Sequence, residues 1–166
     1  MMSDLVTRAR RYALVAHIGQ KYGDEFPYII HLQTAYNVAL RFGITNENIL
    51  CAIWLHDTLE DTDREYEDLC SVFNETVAQI VSRVTEPKGL SRKERHAATY
   101  PRILESDEAR IVKLCDRISH LEFGGAKTKM YRKEHYDFCK NLCQPLRNTP
   151  EELLWTYLHN LIAEIP

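Results

Sequence analysis

The segment Trp54-Leu55-His56-Asp57-Thr58-Leu59-Glu60-Asp61-Thr62 gathers one imidazole and three carboxylates within six residues. Residues four apart are neighbours on a helix surface, so His56 is expected beside Glu60 and Asp57 beside Asp61, at the end of one helix. Carboxylates that close repel one another and raise their own pKa values unless a cation neutralises them. A divalent metal would do so, and adjacent His-Asp can both reach one ion because their directions differ by about 100°. The alternative is a solvated acidic helix end with a capping Asp.

Two further segments bear on that choice. Tyr28-Ile29-Ile30-His31 opens an apolar helix with a histidine, where a buried and locally satisfied ring is the alternative. Ile111-Val112-Lys113-Leu114-Cys115-Asp116-Arg117 puts an acid on an otherwise apolar face. An unpaired buried carboxylate is costly, so Asp116 calls for a cation, which is a metal, Lys113 or Arg117. His31, His56, Asp57 and Asp116 would together form a set of two nitrogen and two oxygen ligands. Such a set suits Mn, Fe, Co, Zn or Ni better than Mg, and leaves positions open for water and substrate.

The elements that must position these residues read as helices nearly throughout. Apolar positions recur near a period of 3.6 over 3–21, 29–42, 46–61, 65–73, 75–86, 92–104, 107–122, 129–146 and 150–164. Thr149-Pro150-Glu151-Glu152 and Ser91 with Glu94 supply start signals, and Gly43, Pro87 and Gly89 supply stops. A short extension near Phe26–Tyr28 is the one place a strand fits. Residues 122–130, with adjacent glycines and two lysines, read as a loop. The fold expected is all-α, in one domain over 1–166.

At 166 residues, 45% apolar and 27% charged, the chain has the composition of a globular protein that fills a core. Its net charge of -3 argues against a dedicated nucleic-acid surface, though not against a basic pocket. No apolar stretch approaches the roughly 18 residues of a spanning helix, and the N-terminus lacks the apolar block of a signal peptide. Cys51, Cys70, Cys115, Cys139 and Cys143 show no CxxC spacing and read as reduced thiols, which fits a cytoplasmic home.

The order H…HD…D, carried by YIIH, HDTLEDT and KLCDRISH, resembles the HD superfamily of phosphohydrolases, and within it the (p)ppGpp hydrolase branch that includes the small alarmone hydrolases. AHIGQKYGDEFPYIIH and FNETVAQIVSRVTEPKGLSRKERH extend the resemblance over most of the chain. It implies a single HD domain of about eight to ten helices, with one Mn2+ on His31, His56, Asp57 and Asp116. It implies hydrolysis of ppGpp or pppGpp at the 3′-diphosphate, with Glu60 and Asp61 as the catalytic acidic pair. Lys88 and Arg92, with Lys93 and Arg95 nearby, match segments that supply cations to phosphates, and Tyr136 matches a tyrosine that lies against the nucleotide.

Two departures stand in the expected substrate shell. Tyr22, beside Lys21, occupies a position where the family commonly has Arg, and His120 one where it commonly has Asn. Tyrosine can stack on a base but offers no guanidinium fork. His120, four residues after Asp116, points into the same site and is able to contact sugar, base or phosphate, or to add a ligand. An intact metal set beside an altered substrate shell leaves a second enzyme reading, an HD hydrolase acting on NADPH 2′-phosphate, a nucleoside monophosphate or a cyclic nucleotide. A non-catalytic nucleotide-binding module is the reading outside enzymes, and a homo-oligomer is compatible with either. His17 matches a family position near the site, while His96, His135 and His159 are expected at the surface.

Overall fold

The computed structural model describes residues 3–125, 127–142 and 147–164, and the side chains of Lys127, Tyr136, Cys139, Lys140 and Leu142 also lie outside the described residues. The elements are α1 (Asp4–Ala16), β1 (Lys21–Tyr22), β2 (Phe26–Pro27), α2 (Ile29–Arg41), α3 (Glu47–Leu55), α4 (Thr58–Asp61), α5 (Tyr66–Val72), α6 (Glu75–Val84), α7 (Arg92–Leu104), α8 (Asp107–Phe123), α9 (Lys127–Leu142) and α10 (Pro150–Ala163). The expected all-α class holds, with one antiparallel two-residue ribbon pairing Lys21 with Pro27 and Tyr22 with Phe26.

Helix starts follow the cap chemistry of the sequence. Ser91 Oγ accepts from Glu94 N while Glu94 returns the bond, and Thr149 caps α10 ahead of Pro150. Asn46, Asn74 and Ser106 cap α3, α6 and α8 in the same way. Gly43 closes α2 with φ 77°, a conformation that favours glycine.

Helix α3 is buried on every side from Ile49 to Leu55, so it must lie inside, and α1, α2, α6 and α8 pack around it. Helix α8 is nearly as enclosed and carries Asp116 through the interior between α2, α6, α7, α9 and α10. Trp54, Leu32, Ile118, Leu154 and Leu158 are fully buried in the shared core. Cys51 and Cys115 are buried free thiols and Cys70 is half-buried, while Cys143 and the Cys139 side chain lie outside the described residues.

Three expectations are corrected. The helix expected over 46–61 breaks at His56–Asp57, because His56 Nδ1 donates to the Ile53 carbonyl at 2.8 Å and the ring competes with the backbone ladder. The helix expected over 3–21 stops at Ala16, and a turn through Gly19 (φ 80°) leads into β1. The loop expected at 122–130 shortens to the Gly124–Gly125 break, because α8 runs to Phe123 and α9 begins at Lys127.

Candidate metal centre and catalytic cleft

His31 comes from the first turn of α2, His56 and Asp57 from the break between α3 and α4, and Asp116 from the middle of α8. Tertiary packing alone brings them together. His31 Nε2 lies 3.3 Å from Asp116 Oδ1 and 3.4 Å from Asp57 Oδ2. His56 Nε2 lies 3.0 Å from Asp57 Oδ2 and 3.6 Å from Asp116 Oδ1. One donor atom each from His31, His56 and Asp116 falls within 4.8 Å of the others. Tyr28 steadies Asp57 by donating its hydroxyl to Oδ2 at 2.6 Å.

The outer ring nitrogens fix the tautomers. Ser119 Oγ donates to the Asp116 carbonyl at 2.8 Å, so it accepts from His31 Nδ1 at 3.0 Å. With His56 Nδ1 donating to Ile53, each neutral ring presents a bare Nε2, and the two Nε2 atoms face one another at 3.1 Å. Facing lone pairs repel unless a proton or a metal ion stands among them. The carboxylates supply the demand for positive charge. Burial opposes the charge on His56, but Asp57 and Asp116 outweigh it and hold its pKa well above the ordinary imidazole range. Burial would raise Asp57 and Asp116, yet His56 and His31 pull the first, and Lys113 and His120 the second, well below the carboxylate range. A divalent cation fits this nitrogen and oxygen set by taking the place of that proton. Lys113 Nζ occupies Asp116 Oδ2 at 3.0 Å, which leaves Oδ1 turned to the histidines.

The centre opens into a cleft of about 230 Å³ whose walls include Glu60, Asp61, Glu86, Arg92, Arg95 and His96. Glu60 accepts from the Glu86 backbone N–H at 3.0 Å. Burial, against that hydrogen bond and with the charges of Asp57 and Glu86, pushes its carboxyl up to about 7. Asp61 stands exposed at the mouth and accepts from Gln20 Nε2 at 2.8 Å. Across the cleft, Arg92 grips Glu134 through two hydrogen bonds of 2.6 and 3.0 Å. Arg95 and His96 face Glu86 at 3.2 and 3.5 Å. The Arg117 guanidinium lies 4.3 Å over the rings of both Tyr131 and Phe138.

Of the residues singled out in the sequence, His31, His56, Asp57, Asp116, Glu60, Asp61, Arg92 and His120 converge on this region. Tyr22 is buried behind His31, stacked on its ring at 5.0 Å, with its hydroxyl bonded to His120 Nδ1. His120 stacks beside Tyr22, 4.2 Å from the His31 centroid and 5.4 Å from the Tyr22 centroid, and its Nε2 lies 3.2 Å from Asp116 Oδ1. Lys21 and Lys88 are exposed, and neither is among the described residues that line the cleft. The Tyr136 side chain lies outside the described residues.

His96 is corrected from surface to cleft wall, because the face of α7 that carries it also carries Tyr100 and packs on α8. Its spacing of four from Arg92 was the available signal. His135 is half-buried, 3.0 Å from His159 Nδ1, while His159 is exposed as expected. Tyr28, Gln20, Glu86 and Tyr131 were missed. Tyr28 is three residues before His31 and therefore on its face, but Glu86 lies in a connection with no periodicity to read.

A family model described as HD domain matches residues 9–149. The chain therefore belongs to the HD-domain family. It is 33% identical over 170 residues to guanosine-3′,5′-bis(diphosphate) 3′-pyrophosphohydrolase of Aquifex aeolicus, covering 93% of this chain and 24% of that protein. A protein named for the same activity from Drosophila melanogaster is 30% identical, over 86% of this chain and 85% of its own length. The chain thus spans about a quarter of the first relative and most of the second. A solved structure of a metazoan ortholog of SpoT, described as hydrolyzing ppGpp, aligns with a TM-score of 0.79 and 27% identity over 95% of both chains. A Listeria monocytogenes structure aligns at TM-score 0.64 and 20% identity, a likeness of fold.

Proposed function

We propose that the chain is a metal-dependent nucleotide phosphohydrolase that takes the 3′-diphosphate from ppGpp, or from pppGpp, and releases it as pyrophosphate. The observation that carries this reading is the pair of Nε2 atoms facing at 3.1 Å, flanked by two carboxylates at the head of a cleft lined by both acids and cations. His31, His56, Asp57 and Asp116 would hold the ion, with Mn2+ the first to try. When bound, that ion supplies Lewis acidity at the phosphoryl group.

The chain's own residues do the rest. Glu60, pushed up to about 7, accepts a proton from the attacking water near neutral pH. Asp61 orients that water from the mouth. Arg92 and Arg95 offer charge-assisted hydrogen bonds to phosphate oxygens. The bond between the 3′-oxygen and phosphorus breaks, the water oxygen leaves on pyrophosphate, and the proton goes to the 3′-oxygen. The names of relatives from Aquifex and Drosophila support the substrate.

One observation favours another nucleotide on the same machinery. The Tyr22–His120 pair packs on His31 where the resemblance expects Arg and Asn, a departure in the expected substrate shell beside residues of the expected types at His31, His56, Asp57 and Asp116. The test is incubation with Mn2+ and a panel of ppGpp, pppGpp, NADPH, GMP and dGMP, with products separated by anion exchange. GDP and pyrophosphate from ppGpp, abolished by chelator, are expected. Release from another nucleotide with silence on ppGpp would replace the substrate, and silence on all would leave a binding module.

A further inference from the structure

We propose that Gln20 is the positioning residue for Asp61, and that His17 dictates which end of the Gln20 amide Asp61 meets. The proposal rests on reading Asp61 as a residue that touches the reacting water. Helix α4, which carries Asp61, has four residues, too short to hold a side chain at its open end in one direction. Among the described residues, the side-chain donor that reaches Asp61 is Gln20, whose Nε2 meets Oδ2 at 2.8 Å across 41 residues of sequence.

An amide can be reversed at little local cost, and reversal here would turn Gln20 Oε1 onto the carboxylate. His17 prevents it. Its Nδ1 lies 2.7 Å from Gln20 Oε1, and with a proton on Nδ1 the ring donates to that oxygen and turns the NH2 end to Asp61. The ring itself is held by stacking on Tyr28, with centroids 4.9 Å apart and planes at 21°. Tyr28 in turn donates to Asp57. The short segment between α1 and α2 thus aims Asp57 through Tyr28 and Asp61 through Gln20, and leaves Asp61 Oδ1 outside that hydrogen bond.

Steady-state kinetics on the full chain with Mn2+ and ppGpp test this, for wild type, Gln20→Met, Asp61→Asn and the double variant, each with a melting curve. Gln20→Met is expected to lower kcat roughly tenfold to a hundredfold, with KM within about twofold and the melting temperature held. It should cost nothing further once Asp61→Asn is present. His17→Phe, which keeps the stack, should lower kcat in the same direction. An unchanged kcat in Gln20→Met, or the same factor lost in both backgrounds, overturns the proposal. Asp61→Asn at wild-type rate would instead remove the reading of Asp61, and that variant alone reveals it. A second readout needs no turnover: in the metal-free protein the Gln20 side-chain amide resonances should shift on Asp61→Asn. Resonances that stay in place overturn the proposal whatever the substrate is.

Discussion

His31 and His56 can meet Nε2 to Nε2 because each ring's outer nitrogen is already committed, one to Ser119 and one to the Ile53 carbonyl. The partner behind a ligand is therefore as consequential as the ligand. Ser119→Ala should weaken Mn2+ affinity about tenfold to a hundredfold, read by calorimetry, with little change in helix content. Wild-type affinity in that variant would show that His31 is oriented by packing alone. His56→Ala should abolish both bound metal and nucleotide hydrolysis, read by elemental analysis of the purified protein beside the activity assay. The sequence made the candidate ligands legible by residue type, since His, His-Asp and Asp stand out against apolar neighbours. Ser119 did not stand out, because a small polar residue in an apolar helix reads as mere tolerance. His96 was misread because a basic helix start looks like a solvated face until α8 is packed against it.

At the scale of elements, α8 and α10 are joined by a buried ion pair in which Arg110 Nε meets Glu151 Oε1 at 2.7 Å. Glu151→Ala would leave the guanidinium without its buried partner, and denaturant titration should show a loss of about 3 kcal/mol. Helices α9 and α10 meet at His135 and His159. Burial, with His159 and Arg117 nearby, lowers the His135 pKa to about 4. The folded chain thus resists protonation that the unfolded chain accepts. Stability is complete above the ordinary imidazole value of about 6.5 and declines as pH falls from there towards the folded value. Melting curves from neutral pH downward should show this fall, and His135→Phe should flatten part of it. Most helix starts were legible because caps are local chemistry, as at Ser91 and Thr149. The break at His56 was not, because a periodic pattern runs through it and the ring's competition for Ile53 is visible only in three dimensions.

For the whole molecule, α2, the α3–α4 break and α8 meet at one point through His31, His56, Asp57 and Asp116. An ion at one hundred times its dissociation constant would stabilise the folded chain by about 2.7 kcal/mol. Mn2+ should therefore raise the melting temperature, a chelator should reverse the rise, and His31→Ala should show neither. The all-α class was legible because nearly every segment carries the helical period, and the extension expected near Phe26–Tyr28 is β2, whereas its partner Lys21–Tyr22 is too short to leave a pattern. The order of the ligands along the chain has a consequence for synthesis. A ribosome lays down both histidines long before it reaches Asp116, and α10, which braces α8, comes later still. The nascent chain must therefore pass through a stage at which two imidazoles are present and the acid from α8 is not. A metal site built on these four residues would be completed only once α8 has been made and packed against α2 and α3.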